Sequence, residues 1–382
     1  MGQYIPIAFS KFMSFFLPII LMLSGATPAR LDYSDRLGDP GYTGLCEVYE
    51  DYFLIGAAVN PPQLNENDPE CQRLMAHILK NFNSISPEWG FGQGSINPAE
   101  GVWDYGDADL IANFARDNGL TMRGHPVMWS GHVTWMAYTD ETRTQLVSKE
   151  VLFERMDVFI RELFERYTDV VHEWNIINEP FHHDRSKVFK DESPWYRIAG
   201  EEYVTKAFEI AAKYADEHDR FFVNETFVEN NPAKADNLFN TVERWLKAGV
   251  PIHGIGLQGH MDTLSINANA FAVKRLVQRA RDLGLEVQIT EMDMKINMSQ
   301  RSVTFTELPA WLELWQINKY RNMFKVFRDN KDVMTNVTFW GIDDAHTVCA
   351  YSYVTNTWHE EWPLLFDKNS MPKQAFYAVC DF

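Results

Sequence analysis

The feature of this 382-residue chain that most constrains its fold is an eightfold alternation of short apolar runs and longer helical stretches. The runs are rich in β-branched or aromatic residues, and the stretches between them have the apolar spacing of amphipathic helices. The runs cover residues 54–59, 84–88, 121–129, 173–179, 220–225, 254–261, 286–294 and 336–344. Eight such units in about 330 residues predict an α/β fold, a closed (β/α)8 TIM barrel in a single domain, because that fold needs about 250 residues plus insertions.

Each predicted strand ends in, or is followed directly by, a side chain that can do chemistry. In a barrel of this kind the C-terminal strand ends converge on one face, and that face holds the active site. A single strand-end glutamate is more often a cap or an ion-pair partner than a catalyst. Here all eight strand ends carry such side chains, which supports a shared site more strongly than one end alone does. The residues are Asn60, Glu88, His125, Asn178, Glu179, Asn224, Glu225, Gln258, His260, Glu291, Asp293, Trp340, Asp343 and Asp344. The sequence therefore predicts one ring of carboxylates, imidazoles and amides.

Glu179 and Glu291 follow the fourth and seventh predicted strands and are the two carboxylates expected to face each other across the barrel mouth. Glycoside hydrolysis needs one carboxyl group to protonate the leaving oxygen and another to attack the anomeric carbon or activate water. A separation of about 5 to 5.5 Å gives the retaining outcome. The spacing of the two strands is compatible with that separation.

Metal-dependent hydrolysis is the main alternative chemistry for a barrel mouth that contains histidine. The sequence has no His-x-His pair on a predicted strand and no strand-end cysteine cluster, which are the usual sources of zinc ligands. It also has no Gly-rich phosphate loop that could hold a nucleotide cofactor. We therefore expect neither a metal nor a cofactor in the reaction.

The charge and aromatic content limit the class of partner. The chain has 53 acidic and 35 basic residues and a formal net charge of −18, which disfavours nucleic acid or an anionic membrane surface. Its 12 Trp, 15 Tyr and 26 Phe mostly serve core packing, but rings of this kind also bind sugar faces. Nothing in the sequence marks a second domain or a linker. We also expect the protein to be a monomer.

Residues 1–26 have the pattern of a secretory signal peptide. Lys11 is the only charged side chain before Arg30, and an uncharged apolar run at 12–23 is followed by Ser24, Gly25 and Ala26. The run is shorter than the ~20 residues of a membrane-spanning helix; a buried N-terminal helix is the alternative. We predict cleavage after Ala26 and a secreted protein, extracellular or periplasmic, with a short lead-in at 27–48 and the catalytic barrel at 49–382.

The chain resembles the family 10 glycoside hydrolases, the retaining endo-β-1,4-xylanases. The resemblance runs from about residue 52 to residue 382 through motifs in the same order: DYFLIGAAVN, FNSISPE, RGHPVMW, EWNIINEP, GVPIHGIGLQGHM, ITEMD, FWGIDD and PLLFDKNSMPKQAFYAV. Several spaced motifs are far more specific than any one of them. The resemblance implies that the partner is xylan or a related β-1,4-linked polysaccharide.

The resemblance also implies roles for the strand-end residues. Glu179 would be the acid/base and Glu291 the nucleophile, while Asn178 would hold the 2-hydroxyl of the sugar being cleaved. His260, oriented by Asp293, would bond the nucleophile and favour its charged form. Four further residues would line the same sugar: His125, Trp129, Gln258 and Trp340. Glu88 would contact the next sugar on the glycone side. Apolar surroundings are expected to keep Glu179 protonated.

Five positions depart from the family pattern and affect sugar subsites more than chemistry. Trp89 and Gly92 stand where Asn and Lys are usual, and Val348 replaces a second tryptophan. Thr226 and Ser130 stand where Tyr and His are common. These changes leave two other functions open: a retaining β-glycosidase acting on another β-1,4-glycan or on short xylo-oligosaccharides, and a non-catalytic carbohydrate-binding barrel.

The four cysteines would be able to form disulfides after export, in any of three pairings. Cys71 and Cys349 are expected on the catalytic face, near adjacent strands, and Cys46 and Cys380 on the opposite face. The predicted bridges are therefore Cys71 to Cys349 and Cys46 to Cys380.

Overall fold

The structure is a computed structural model that describes residues 32–184, 186–297, 304–352 and 356–382. The predicted signal segment, residues 1–26, lies outside the described residues. Among the helices in these ranges, none combines the length and the apolar character that crossing a bilayer requires.

Eight parallel strands form a closed barrel. They are β1 (Leu54–Val59), β2 (Ser84–Pro87), β3 (Thr121–Gly124), β4 (Val171–Asn178), β5 (Arg220–Glu225), β6 (Gly254–Leu257), β7 (Glu286–Lys295) and β8 (Met334–Phe339). Each strand pairs with the next, and β8 pairs with both β7 and β1, so the sheet closes on itself. The predicted (β/α)8 barrel is confirmed.

Two predicted strands are each divided in the structure. The third ends at Gly124 and resumes as the two-residue strand Met128–Trp129, which pairs with β4. The sixth ends at Leu257 and resumes as His260–Asp262, which pairs with the end of β7. These extensions lengthen the wall at the C-terminal end of the barrel and carry two of the predicted site residues, Trp129 and His260.

In the described part of the chain, eight main helices surround the strands: α1 (Pro69–Asn81), α2 (Gly106–Asn118), α3 (Lys149–Tyr167), α4 (Glu202–Tyr214), α5 (Pro232–Lys247), α6 (Ala270–Asp282), α7 (Ala310–Asp329) and α8 (Gln374–Cys380). Shorter helical segments lie at Gln93–Ile96 and Pro194–Ala199. Several begin at a side-chain cap that accepts an otherwise unpaired backbone N–H. Asp68 caps α1 and Ser148 caps α3, while Asn231 and Asn269 cap α5 and α6. The apolar faces of these helices and the outward strand residues form one continuous core.

A buried polar layer fills the barrel interior below the mouth. The Arg123 guanidinium, fully buried, donates to Gln288 Oε1 at 3.0 Å. Asn336 Nδ2 donates to Glu173 Oε2 at 2.9 Å. Burial raises the pKa of Glu173, and the charge of Arg123 opposes that rise. This layer forms a filled floor, so the space open to a ligand lies above it.

The predicted lead-in packs against the end of the chain. Residues 32–48 contain a short turn of helix at Ser34–Arg36 and a second at Leu45–Val48. The backbone N–H of Tyr33 donates to Gln374 Oε1 at 2.8 Å, and its hydroxyl donates to Asp381 at 3.0 Å. Tyr33 and Leu45 belong to the same core as the barrel helices.

Neither predicted disulfide is formed, and all four cysteines, which lie within the described ranges, are free thiols. Each of three thiols instead faces a nearby oxygen. Cys71 Sγ lies 3.2 Å from the carbonyl of Pro62, Cys46 Sγ lies 3.7 Å from that of Lys80, and Cys349 Sγ lies 3.1 Å from Asp293 Oδ2. The prediction was wrong because placement on the same barrel face does not bring two sulfur atoms together.

Candidate active site

A cleft of about 420 Å³ opens at the C-terminal ends of the barrel strands. Its wall contains nine of the ten residues predicted for the site: Glu88, His125, Trp129, Asn178, Glu179, Gln258, His260, Glu291 and Trp340. The tenth, Asp293, is buried beneath the wall and contacts His260. The structure therefore brings the ten residues together at one end of the barrel; nine of them come from the strand-end pattern, and Trp129 from the family resemblance.

Glu291 is held at both carboxylate oxygens. Asn224 Nδ2 donates to Oε1 at 2.7 Å, and His260 Nε2 lies 3.1 Å from Oε2. The other ring nitrogen of His260, Nδ1, contacts Asp293. Burial opposes the charged form of His260, but Asp293 and Glu291 outweigh it and raise the pKa of the imidazole to about 10. His260 is therefore an imidazolium that donates to both carboxylates.

The charged state of His260 should make the stability of the fold depend on pH. His260 has a pKa of about 6.5 in an unfolded chain and about 10 in the fold. Because folding raises the pKa, the stabilisation is complete below about pH 6.5 and is lost as the pH rises through 10. We expect the Tm difference between the native protein and His260→Gln to be largest below pH 6.5 and to shrink toward pH 10, measured by thermal unfolding across that range.

The matched control is His218→Gln, because His218 is 72% exposed. Its Tm difference from the native protein should be small at every pH. A His260→Gln difference that is the same at pH 6 and pH 10 would contradict the charged state of His260.

His125 approaches Glu291 from the other side as a neutral ring. Asn175 Nδ2 donates to His125 Nδ1 at 2.7 Å, which leaves the ring proton on Nε2, 3.9 Å from Glu291 Oε1. Burial lowers the pKa of His125 to about 4. The indole of Trp340 stands edge-on to His125, with ring centroids 5.3 Å apart. His125 can thus donate a hydrogen bond without adding charge.

Glu179 begins the loop after β4 with a left-handed backbone, φ = 54°. Its N–H donates to the carbonyl of Asn224 at 2.9 Å, and the hydroxyl of Ser130 donates to its carbonyl. A left-handed conformation is costly for a residue with a Cβ and persists where its surroundings fix it, often at a functional site. These two hydrogen bonds fix the direction in which the Glu179 side chain leaves the backbone.

The Glu179 carboxylate is ion-paired. Gln258 Nε2 donates to Oε1 at 3.0 Å, and Lys190 Nζ donates to Oε2 at 2.9 Å. Burial favours the neutral acid, but Lys190 and Gln258 outweigh it and lower the pKa of Glu179 to about 2. The expectation that apolar surroundings keep this acid protonated was therefore wrong, because the ammonium of Lys190 supplies a charge that the strand pattern does not contain.

Amide side chains connect the two carboxylates. Asn224 Nδ2 donates both to Glu291 and to Asn178 Oδ1, the latter at 2.8 Å. Gln258 Nε2, which donates to Glu179, lies 3.5 Å from the same Asn178 oxygen. Because Oδ1 of Asn178 is occupied in this way, its amide nitrogen is the group able to donate to a sugar hydroxyl. Sequence reasoning placed Asn224 at a strand end but did not include it in the site.

The arrangement of two supported carboxylates at the mouth of a (β/α)8 barrel agrees with the sequence comparison. The model of glycosyl hydrolase family 10 matches residues 44–382. The chain belongs to glycosyl hydrolase family 10.

Known proteins that resemble this chain match it over nearly its whole length. Endo-1,4-beta-xylanase A of Caldicellulosiruptor saccharolyticus is 35% identical over 340 residues, which are 88% of this chain and 95% of the relative. A thermostable celloxylanase of Thermoclostridium stercorarium is 30% identical over 377 residues, 96% and 94% of the two chains. A solved mutant structure in complex with xylotriose superposes with a TM-score of 0.82 at 32% identity, covering 89% of this chain and 100% of that one.

Two of the five positions that depart from the family 10 pattern lie in the wall of the cleft. They are Thr226 and Val348. Phe227, which follows Thr226 with a left-handed φ of 58°, also lines the cleft and is an aromatic site residue that sequence reasoning did not single out. Trp89 is 47% exposed. A Cβ at Gly92 would meet only Pro126, at ordinary contact distance, so the backbone there does not require glycine.

Glu88 lies in the wall of the cleft, next to Asn60. Asn60 Nδ2 donates to its Oε2 at 2.6 Å. Burial raises the pKa of Glu88, and the nearby charge of Glu291 adds to the rise. Both strand-end predictions, Asn60 and Glu88, are thus adjacent in space.

Within the described ranges, the group of side chains spaced to hold a metal ion is His172, Asp216 and Asp219. His172 lies at the start of β4 and Asp219 directly precedes β5, so this group is at the end of the barrel opposite the cleft. Asp219 also accepts from the indole of Trp174 at 3.0 Å, which gives it a role in packing.

Proposed function

We propose that this family 10 glycoside hydrolase is a secreted, monomeric endo-β-1,4-xylanase that cleaves internal xylosidic bonds of xylan with retention of configuration. The observation that carries the proposal is one cleft with two glutamates in different environments. Glu291 faces Asn224 and a charged imidazolium, whereas Glu179 faces Gln258 and Lys190. Relatives named as a xylanase and a celloxylanase support a β-1,4-linked substrate.

In the first step Glu291 attacks the anomeric carbon while Glu179 gives its proton to the leaving glycosidic oxygen. The bond between the sugar and the leaving oxygen breaks, and an ester between the sugar and Glu291 forms. In the second step the Glu179 carboxylate takes a proton from water, the water oxygen attacks the anomeric carbon, and Glu291 leaves. Only the protonated fraction of Glu179 can carry out the first step.

The neighbouring side chains stabilise the charge that develops on the sugar. Asn178 donates to the 2-hydroxyl, a contact that strengthens as the ring becomes oxocarbenium-like. His125, neutral and carrying its proton on Nε2, donates to the same sugar. The remaining contacts come from Trp129, Gln258, Trp340 and, for the next sugar on the glycone side, Glu88. The chemistry uses these side chains and water.

A second candidate keeps the same two glutamates and changes the substrate to another β-1,4-glycan or to short xylo-oligosaccharides. Two departures from the family pattern favour it: Gly92 on the glycone side and Val348 in the cleft wall provide less side-chain surface than the Lys and Trp usual in the family. The celloxylanase relative is consistent with a broader substrate range. A non-catalytic binding barrel is disfavoured by the presence of both glutamates with their hydrogen-bonding partners.

The test is chromatographic analysis of products from unbranched xylan, arabinoxylan and mixed β-glucan, with Glu291→Ala as the blank. Xylobiose and longer xylo-oligosaccharides from the native protein alone are the expected result. Turnover of glucan or short oligosaccharides without turnover of xylan would favour the second candidate. The absence of hydrolysis on every substrate would favour a binding protein. The N-terminal sequence of the exported protein tests cleavage after Ala26, and sedimentation tests the monomer.

A further inference from the structure

Lys190 is brought to Glu179 by a hairpin that leaves the cleft wall and returns to it. The chain turns away after Glu179, and the backbones of Phe181 and Phe189 pair in antiparallel fashion. The N–H of Lys190 donates to the carbonyl of Pro180 at 3.0 Å. Lys190, eleven residues away in sequence, is therefore fixed beside Glu179 by its own backbone.

The hairpin is anchored on its inner side. The rings of Phe181 and Phe189 stack with centroids 5.4 Å apart, and both lie 6.1 Å from the indole of Trp245. The N–H of Phe181 donates to Glu225 Oε2 at 2.9 Å, and Glu225 is paired with Lys234 at 2.7 Å, both buried. This packing fixes the hairpin in a position from which the Lys190 side chain reaches the Glu179 carboxylate.

The ion pair is shielded from water. The side chain of Lys190 is 13% exposed and that of Glu179 is 18% exposed. At such a site the attraction between the two charges is stronger than at an open surface. The pair opposes the first chemical step, which needs a proton on Glu179, and favours the carboxylate that the second step uses.

We propose that Lys190 is a positioning residue that sets the upper pH limit of activity by stabilising the carboxylate form of Glu179. The proposal rests on the proposed role of Glu179 as acid/base. In the first step the proton of Glu179 passes to the leaving oxygen, and Lys190 keeps its own proton and pairs with the carboxylate that results. The enzyme therefore loses its protonated acid at a lower pH than it would without Lys190.

Other charged or titratable groups lie near this pair, either in the cleft wall or on the elements packed beside it. They are Glu291 and Lys295 on β7, His125 after β3, His260 after β6, Glu225 on β5, Lys234 on α5, and His182, His183, Asp191 and Glu192 on the hairpin. Burial, Lys234 and Lys190 lower the pKa of His183 to about 4, so that ring is neutral across the working range. All of these groups are retained in a variant that changes only Lys190.

The experiment compares the pH dependence of kcat/KM for the native protein, Lys190→Met, Lys190→Gln and Lys190→Arg. One substrate is a xylo-oligosaccharide, whose cleavage needs the acid, and the other is an aryl xylobioside with an activated leaving group, whose cleavage does not. Lys187→Met is the matched control, because Lys187 lies on the same hairpin, is 42% exposed and pairs with Asp191.

On the oligosaccharide, the alkaline limb should move up by about one pH unit or more in Lys190→Met and Lys190→Gln. It should stay in place in Lys190→Arg and Lys187→Met. On the aryl substrate, the alkaline limb of the Lys190 variants should match that of the native protein.

An unmoved alkaline limb in both neutral variants, with native circular dichroism and Tm, would overturn the proposal. An equal shift on the two substrates would also overturn it, since the shift would then not report on the acid. Glu179→Ala separates this failure from a failure of the proposed function. If Glu179→Ala loses equal activity on both substrates, Glu179 is not the acid/base at all.

Discussion

Glu291→Ala is expected to abolish hydrolysis of every substrate, whereas Glu179→Ala is expected to spare aryl xylosides with activated leaving groups. Without Glu291 no covalent intermediate forms, and the loss should be on the order of 10⁵-fold or more. Without Glu179 the leaving oxygen receives no proton, which costs about 10²- to 10⁴-fold on xylan. An activated phenolate leaves without a proton, so the first step on that substrate survives.

The measurement is kcat/KM on xylo-oligosaccharide and on aryl xylobioside for both variants. The control is Glu209→Ala, an exposed glutamate on α4 that pairs with Lys206 and should leave both rates unchanged. Equal losses on the two substrates for Glu179→Ala, or residual activity of Glu291→Ala on either, would contradict the assigned roles.

Asn178→Ala is expected to lower kcat by roughly 10²- to 10³-fold, the range seen when one transition-state hydrogen-bond donor is removed. KM should change little, because the contact to the 2-hydroxyl strengthens mainly in the transition state. The structure supports this role, since Asn224 occupies Asn178 Oδ1 and leaves the amide nitrogen to donate.

A 2-deoxy aryl xyloside distinguishes this role from a general disturbance of the site. The native enzyme should lose most of its rate when the 2-hydroxyl is absent, and Asn178→Ala should lose little more on the deoxy substrate. If Asn178→Ala loses the same factor on both substrates, the amide acts through Asn224 and Glu291 rather than through the sugar.

The strand pattern predicted both the fold and most of the site for one physical reason. A residue at the end of a barrel strand is placed by the backbone ladder, so its position in space follows from its position in the strand. Asn178, Glu179 and Glu291 were located in this way although 112 positions separate the two glutamates in sequence. His260 and Asp293 also meet as expected, because the short strand that carries His260 pairs with β7.

Residues that a loop returns to the site could not be located in this way. Lys190 reaches Glu179 through a hairpin whose shape depends on the stacking of Phe181 and Phe189. Helix and strand periodicity in the sequence does not predict that contact. Consequently the environment of the acid was predicted as apolar when it contains an ammonium. The cysteine pairs failed for a related reason: a shared face fixes neither the direction nor the reach of a side chain, and Cys349 faces Asp293.

The most direct test of the two-glutamate account is to trap the covalent intermediate with an activated 2-deoxy-2-fluoro-xylobioside. The fluorine slows the second step, so the sugar should stay attached to the enzyme. Peptide mass spectrometry of the trapped protein is predicted to find the fluoro-xylobiosyl group on Glu291, and to find none in Glu291→Ala. A label on Glu179, or release of inverted product without any labelled peptide, would contradict the account.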